Sequence, residues 1–576
     1  MRFIHVYNEQ YFDGLVKNNL IKDNTGFKIQ HCFTVPDGIK FNKIAAKGGK
    51  LHSLLKEKNR PFYVDRLAGG IGYYKYDFDK DLIREYADML GDQFLGFQLH
   101  ESGTNKRYLD WGGILKTMNG AKGPYDVEEL KKARLAQKRS EAMGFPMYSM
   151  NIDGPEFYAN MRYAETPEEY FEEMKDMFRR KMALVDGHIL PVDSGFAAMH
   201  MENELGMKTF MPEVGGQIPQ MRQQVALSRG IAENNGKTWG TYYECWFHRK
   251  DVGYTMPCFN TEPGNEWYLP QELHGDDFSS YGPNGGSSRL LQRRIFYYTL
   301  MSGAHYLAEE WGLNCSYTDM TKDFTLSEYG EVKKELIDTT EEFGELKAVT
   351  PFAIVLPKDY EILEIVSKYD SYKVGDHRDA YMKIPLDPER KAYYGHIVDV
   401  LLTIFSNQDE TYGNESHTLC NSRFGDMFDI IYEDAGEKTF KKYAYLIDAT
   451  KEGNFAKTYS GDNVIESADL EEMANRINAA APQVMPVTVD GLHWLVSYGA
   501  DGKRYLSIFN NEGNDRDMKL GNVIDHRADR RVKVTFKEKA QLDVVRSFCD
   551  GIKVEKIDDK NYYVTVLATE LVVMTY

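Results

Sequence analysis

Carboxylates in this chain recur at the ends of short apolar stretches. Pro61–Leu67 carries Asp65 and Arg66 near its end, and Phe94–Glu101 ends in His100 and Glu101. Pro146–Asp153 ends in Asp153, and His188–Asp193 in Asp193. Thr209–Val214 carries Glu213, Thr238–Trp246 carries Glu244, and Gly303–Trp311 closes on Glu309, Glu310 and Trp311. Carboxylates gathered at one place repel one another. Some pKa values rise, so one carboxyl can stay protonated beside another that stays ionised. A protonated carboxyl for a leaving oxygen and a carboxylate as nucleophile or base are what cleavage of a glycosidic bond requires.

Trp246 stands two residues after Glu244, and Trp311 follows Glu310 directly. An indole beside each acid would give the C–H face of a sugar a flat apolar platform. The candidate catalytic residues are therefore Glu213, Glu244, Glu101 and Glu310, with their roles open. Asp65, Arg66, His100, Asp153, Trp246, Glu309 and Trp311 are candidates for binding substrate. Plainer roles compete with each. Glu213 and Glu244 could be held by arginines, Asp65 and Arg66 could pair with each other, and His100 could sit in the core. The indoles could be loop anchors. Tandem acids alternate across a strand, so only one of Glu309 and Glu310 can face the site, and the other is expected to pair behind it. Glu202-Asn203-Glu204 falls where a helix is expected, so its acids read as a solvated face.

The elements that must position these groups alternate. Strands begin near residues 27, 61, 94, 146, 188, 209, 238 and 303, each followed by a helix or helix-like segment, with residues 1–26 as a lead-in. Asp126 with Glu129, and Thr166-Pro167 with Glu169, are helix-start signals. Gln217–Asn235 reads as an amphipathic helix, and the Gly/Pro-rich stretch 247–286 as a long loop able to wall off a pocket. This alternation predicts a (β/α)8 barrel over 1–346, whose strand ends converge on one face. Residues 347–482 read as a smaller, doubly wound α/β domain and 483–576 as an all-β sandwich.

Composition bounds the chemistry. The chain has 576 residues and a formal net charge of −18. That balance argues against nucleic acid, whose binding rests on Lys and Arg neutralising phosphates. No long apolar run predicts a membrane span. No leader is visible at Met1, so a cytoplasmic protein is expected, or a periplasmic or secreted one if a leader was removed. The six cysteines are scattered without a Cys-x-x-Cys, and read as reduced core thiols rather than zinc ligands. No metal or cofactor is expected. The α/β domain has no phosphate-binding glycine motif, and reads as structural or as a contact in a homo-oligomer.

The order of barrel, small α/β domain and terminal β-domain resembles the multidomain TIM-barrel glycoside hydrolases, in particular the family 42 β-galactosidase-like layout. The stretches that carry the likeness are Leu326–Val332 leading into Thr350–Leu356, and Tyr505–Gly513. The resemblance implies hydrolysis of an oligo- or polysaccharide by two carboxylates, with Asn-Glu ending strand four and Glu ending strand seven. On the count above strand four ends at Asp153 after Ile152, which departs from that pattern. Strand seven ends at Glu244, which fits a nucleophile. Were the first strand miscounted, Glu309 and Glu310 would take that place. Two alternatives stand beside it. One is a carbohydrate-binding protein on a glycosidase scaffold. The other is a metal-dependent hydrolase or lyase with Asp65, His100, Glu101 and Asp153 as ligands.

Overall fold

The computed structural model describes residues 1–9, 11–29, 41, 44–65, 79–100, 166–192, 198–216, 218, 220–249, 253–257, 278–280, 284–310, 312–319, 322–363, 387–406, 415–517 and 521–576. Its centre is a parallel sheet of nine short strands in eight positions. They are β1 (Arg2–Tyr7), β2 (Thr25–Ile29), β3 (Phe62–Val64), β4 (Phe94–His100), β5 (Ile189–Val192), β6 (Thr209–Phe210), β7 (Glu213–Gly215), β8 (Thr238–Glu244) and, later in the chain, β12 (Tyr306–Glu309). β6 and β7 run end to end along β8. The order is β5-β4-β3-β2-β1-β12-β8-β6, and β5 and β6 lie against each other, so the sheet nearly closes. This is a TIM barrel.

Strands buried on both faces do not show polar alternation, and these do not. One face fills the barrel with Ile4, Tyr63, Leu95, Leu190, Val192, Met211, Tyr242, Tyr306 and Ala308. The other, with Phe3, Phe27, Phe62, Phe97 and Leu307, packs under the helices. Those are α1 (Phe12–Lys17), α2 (Lys50–Lys58), α3 (Lys80–Leu90), α4 (Pro167–Leu184), α5 (Met199–Glu204), α6 (Met221–Asn234), α7 (Arg289–Met301), α8 (Gly312–Ser316) and α9 (Glu328–Phe343). Of the two predicted caps, Thr166 lies among the described residues and acts as one. The Thr166 hydroxyl accepts from the Glu169 N–H at 3.1 Å, ahead of Pro167.

The strand count needs two corrections. Residues 2–7 are not a lead-in but the barrel's first strand, paired with β2 and β12. Its run RFIHVY, buried from Phe3 to Tyr7, lacks the alternation that marks a half-exposed strand. The strand expected at 146–153 lies outside the described residues, as does the helix expected from Asp126. β4 pairs directly with β5, leaving no position for a strand between them. The two corrections cancel: β4 is strand four and β8 remains strand seven. The expected loop 247–286 also holds a small sheet of β9 (Phe247–Arg249), β10 (Gly253–Met256) and β11 (Phe278–Ser280).

The helix α6 is not amphipathic in the expected sense. Arg222, Gln223, Gln224, Ser228 and Arg229, which read as its polar face, are buried. The helix packs on a second sheet of four parallel strands ordered β15-β14-β16-β17: β14 (Phe352–Leu356), β15 (Phe428–Tyr432), β16 (Tyr445–Asp448) and β17 (Val464–Glu466). Arg229 Nε donates to Asp429 Oδ1 at 2.7 Å, and Arg222 Nε to Asp426 Oδ1 at 2.8 Å. Helices α10 (Pro388–Phe405) and α14 (Leu470–Val484) pack together in the same unit.

The last part is all β. One antiparallel sheet runs β13-β19-β20-β27-β24 and a second β18-β23-β26-β25, with a separate ribbon of β21 and β22. These are β13 (Leu346–Ala348), β18 (Val487–Val489), β19 (His493–Gly499), β20 (Arg504–Phe509), β21 (Asn514–Asp517), β22 (Gly521–Ile524), β23 (Arg530–Phe536), β24 (Asp543–Ser547), β25 (Lys553–Lys556), β26 (Asn561–Val566) and β27 (Leu571–Thr575). The two larger sheets meet where the rings of Phe536 and Tyr576 lie 5.0 Å apart, tilted by 47°. Among the described residues no helix is long and apolar enough to cross a membrane.

Candidate active site

The site follows from strand parity. On β8, Tyr242 faces the barrel interior, so Glu244 two residues on faces the same way. On β12, Ala308 faces inward, so Glu310 does and Glu309 does not. The register pairs Glu309 with Tyr243, and the Glu310 N–H donates to the Tyr243 carbonyl at 2.8 Å. Glu310 therefore stands beside Glu244 on the neighbouring strand. Glu213 pairs with Tyr242 and Gly215 with Glu244, which sets Glu213 one layer deeper on the other side of β8. Three neighbouring strand positions thus deliver three carboxylates to the C-terminal mouth. All three are buried.

Trp246 joins two of them. Its backbone N–H donates to Glu244 Oε2 at 2.9 Å, and its indole N–H donates to Glu310 Oε2 at 2.8 Å. Both donors face carboxylate oxygens, so the contact favours negative charge at each. The ring itself is only 6% exposed, and its structural part is that of a clamp between the strand ends. The second oxygen of Glu244, Oε1, lies over Gly215. A Cβ built there would stand 1.9 Å from it. Only the missing side chain of Gly215 leaves the carboxylate room.

Glu309 points the other way. Its Oε2 lies 2.7 Å from Lys333 Nζ on α9, with both side chains almost fully buried. Burial first, then the charge of Glu309, holds the Tyr329 phenol well above its ordinary range. Asp65 also has a partner. Lys28 Nζ on β2 lies 2.7 Å from Asp65 Oδ2 with neither side chain exposed, and the Tyr242 hydroxyl is 3.4 Å from both. Lys28, Tyr242 and Lys333 were not legible as site residues. The available signal was a lone lysine at the inward register of an apolar strand.

Arg66, Glu101, Asp153, Asp193 and Trp311 lie outside the described residues. His100 closes β4, where its backbone pairs with Val192. Asn203 and Glu204 end helix α5, as expected, but Glu202 beside them is buried and does not lie on a solvated face. Cys245, next to Glu244, and Cys315 are buried thiols with sulfurs 3.7 Å apart.

No family model matches the chain, and no curated protein matches it. Solved structures similar to it include the catalytic module of a family 98 glycoside hydrolase from Streptococcus pneumoniae TIGR4, at 10% identity and TM-score 0.38, covering 100% of this chain and 98% of that one. An α-L-fucosidase from Paenibacillus thiaminolyticus is similar at 9% identity and TM-score 0.42, covering 100% and 99%. A family 42 β-galactosidase from G. stearothermophilus is similar at 8% identity and TM-score 0.43, covering 100% and 98%.

Proposed function

We propose that the chain is a glycoside hydrolase that cleaves an oligo- or polysaccharide with a pair of carboxylates at the barrel mouth. The observation that carries the reading is Glu244, held at the end of strand seven by the Trp246 N–H and seated over Gly215. In this reading Glu244 is the ionised carboxylate that attacks the anomeric carbon or activates water. The proton for the leaving oxygen comes from a second carboxyl. Glu101 is the first choice for it by sequence, since it follows directly on strand four. That is the position the resembled layout uses, once Arg2–Tyr7 is counted as the first strand. Glu310 and Glu213 are the other candidates. Removal of the leaving group and attack at the anomeric carbon then proceed through an oxocarbenium-like transition state, which nearby carboxylates stabilise.

On the same reading residues 1–346 form the catalytic barrel, 347–482 the α/β domain and 483–576 the β-domain. The metal-dependent alternative loses support at Asp65, because its charge is already matched by the Lys28 ammonium 2.7 Å from Oδ2. Gln variants of Glu101, Glu213, Glu244 and Glu310, assayed on a panel of aryl glycosides and natural glycans, test the proposal. Glu244→Gln should lose roughly a thousandfold or more in kcat, within the range known for acid–base and nucleophile removal. Full activity in that variant on every cleaved glycan would remove Glu244 from the mechanism. Glycan binding without turnover by the native chain would point instead to a carbohydrate-binding barrel.

A further inference from the structure

A second group of metal-ligating side chains lies on the helix that follows β5, where the barrel meets the four-stranded parallel sheet. His200 and Glu204 stand four residues apart on α5, and so share one helix face. Asp434 comes from the turn that follows β15. One donor atom from each of the three lies within 4.8 Å of the others. Three observations point to a cation rather than a simple ion pair.

The first is spacing. His200 Nε2 is 3.4 Å from Asp434 Oδ2 and 3.8 Å from Glu204 Oε1. Those separations are long for charge-assisted hydrogen bonds, which close to about 2.7–2.9 Å. The shorter suits neighbouring ligands of a tetrahedral ion, and the longer exceeds that spacing by about 0.2 Å. Metal–donor bonds of about 2.0–2.2 Å put such ligands roughly 3.3–3.6 Å apart. The second is the nitrogen itself. His200 Nε2 is buried and aims into the group, where it faces the Asp434 and Glu204 carboxylates at ion-pair separations and not at close hydrogen-bond length. A metal would give the three donors one shared partner. The third is the supporting shell. The His200 ring stacks on Tyr432, with centroids 4.1 Å apart and planes 19° off parallel. Tyr432 ends β15 two residues before Asp434, so the strand that carries the stacking ring also leads into the third ligand. Lys175 Nζ lies 3.4 Å from Glu204 Oε2, the oxygen not turned to His200, and leaves Oε1 for the ion. The buried Glu361 carboxylate accepts from the His200 and Met201 N–H groups at 2.8 and 3.0 Å, which fixes the first turn of α5.

We propose that His200, Glu204 and Asp434 bind a divalent transition ion of the zinc class, with water completing the tetrahedron, and that the ion ties helix α5 of the barrel to the turn after β15. A neutral imidazole with two carboxylates balances a +2 charge and is a donor set that suits zinc. Half-exposed carboxylates give the ion a route in. The donors come from two distant parts of the chain, α5 and the turn after β15, and no Cys/His spacing announces them.

The test uses the full chain, stripped with a chelator, dialysed and titrated with zinc chloride in a calorimeter. The native chain should bind one equivalent at this site, and saturating zinc should raise its unfolding temperature, because the ion binds only the folded state. His200→Ala and Asp434→Asn should each weaken that equivalent at least about tenfold and abolish the zinc-dependent rise. Asp434 is half exposed, so its variant keeps the comparison valid if loss of the imidazole disturbs packing on Tyr432. Equal unfolding temperatures of metal-free native and Asp434→Asn chains establish that the fold survives. Zinc binding equal in the native chain and both variants, or no binding by the native chain, overturns the proposal and leaves an ion pair alone.

Discussion

Gly215→Ala isolates how Glu244 is held. Gly215 has no positive φ, so alanine suits its backbone. The perturbation is the new methyl group alone. Its carbon would stand 1.9 Å from Glu244 Oε1, 2.3 Å from Glu244 Cδ and 2.4 Å from the Glu244 carbonyl oxygen. Ordinary contact is about 3.5 Å, so the carboxylate must retreat by roughly 1.5 Å and β7 must part slightly from β8. Overpacking of this kind costs about 1–3 kcal/mol of stability. A misplacement of about 1 Å at a reacting group can cost about a hundredfold in rate. On a glycan that the native chain cleaves, kcat/KM should therefore fall about a hundredfold, nearly 3 kcal/mol at the transition state. The fall should sit mainly in kcat, with thermal unfolding still cooperative. Activity within threefold of native would refute the reasoning, since Glu244 would then work without the seat Gly215 provides. A rise in KM with kcat kept would also refute it, because that marks lost binding and not a displaced carboxylate.

Two further outcomes follow from buried charges. His493 Nε2 donates to Asp426 Oδ2 at 2.7 Å, and Asn511 Nδ2 meets its Nδ1 at 3.2 Å, an arrangement for a neutral ring. Burial, only partly offset by the Asp426 charge, pushes its pKa down from 6.5 to about 4. The unfolded chain then binds the extra proton between these values. Stability should fall by about 3 kcal/mol as pH drops from 6.5 to 4, and hold above 6.5. Unfolding midpoints across that window should show a flatter slope in His493→Gln, and an unchanged slope would refute a neutral buried ring. Lys333→Met leaves Glu309 buried without its cation, which should cost about 3–5 kcal/mol. Adding Glu309→Gln should recover most of the lost unfolding temperature, and a double variant no better than the single would show that the pair does not couple.

Much of the barrel was legible because strands and helices alternate with ordinary spacing. Thr166, Pro167 and Glu169 announced a helix start that the structure bears out. The misses share one cause, burial on both sides. Residues 2–7 are covered on both faces, so their pattern lacks the alternation that separates strand from lead-in. The polar residues of α6 looked solvent-facing because nothing local reveals Asp426 and Asp429, two hundred residues later, as their partners. The pairing of Lys28 with Asp65 was hidden the same way: Asp65 reads as a substrate-binding group or as a partner of Arg66, and only barrel closure makes it one buried pair with Lys28.

The tandem Glu309-Glu310 shows what local sequence can decide. Alternation requires that the two acids part, and they do, one toward Lys333 and one toward Trp246. Which of them faces the mouth follows from the parity of Ala308, set by the barrel and not by the acids. The outward acid then anchors the end of β12 to α9, while the inward acid is tied through the Trp246 indole to β8. The same tryptophan holds Glu244 by its backbone. A shift of β12 would therefore move Trp246 and, through it, Glu244. The outward ion pair is thus a positioning element for the inward carboxylates, even though Glu309 and Lys333 do not reach the mouth.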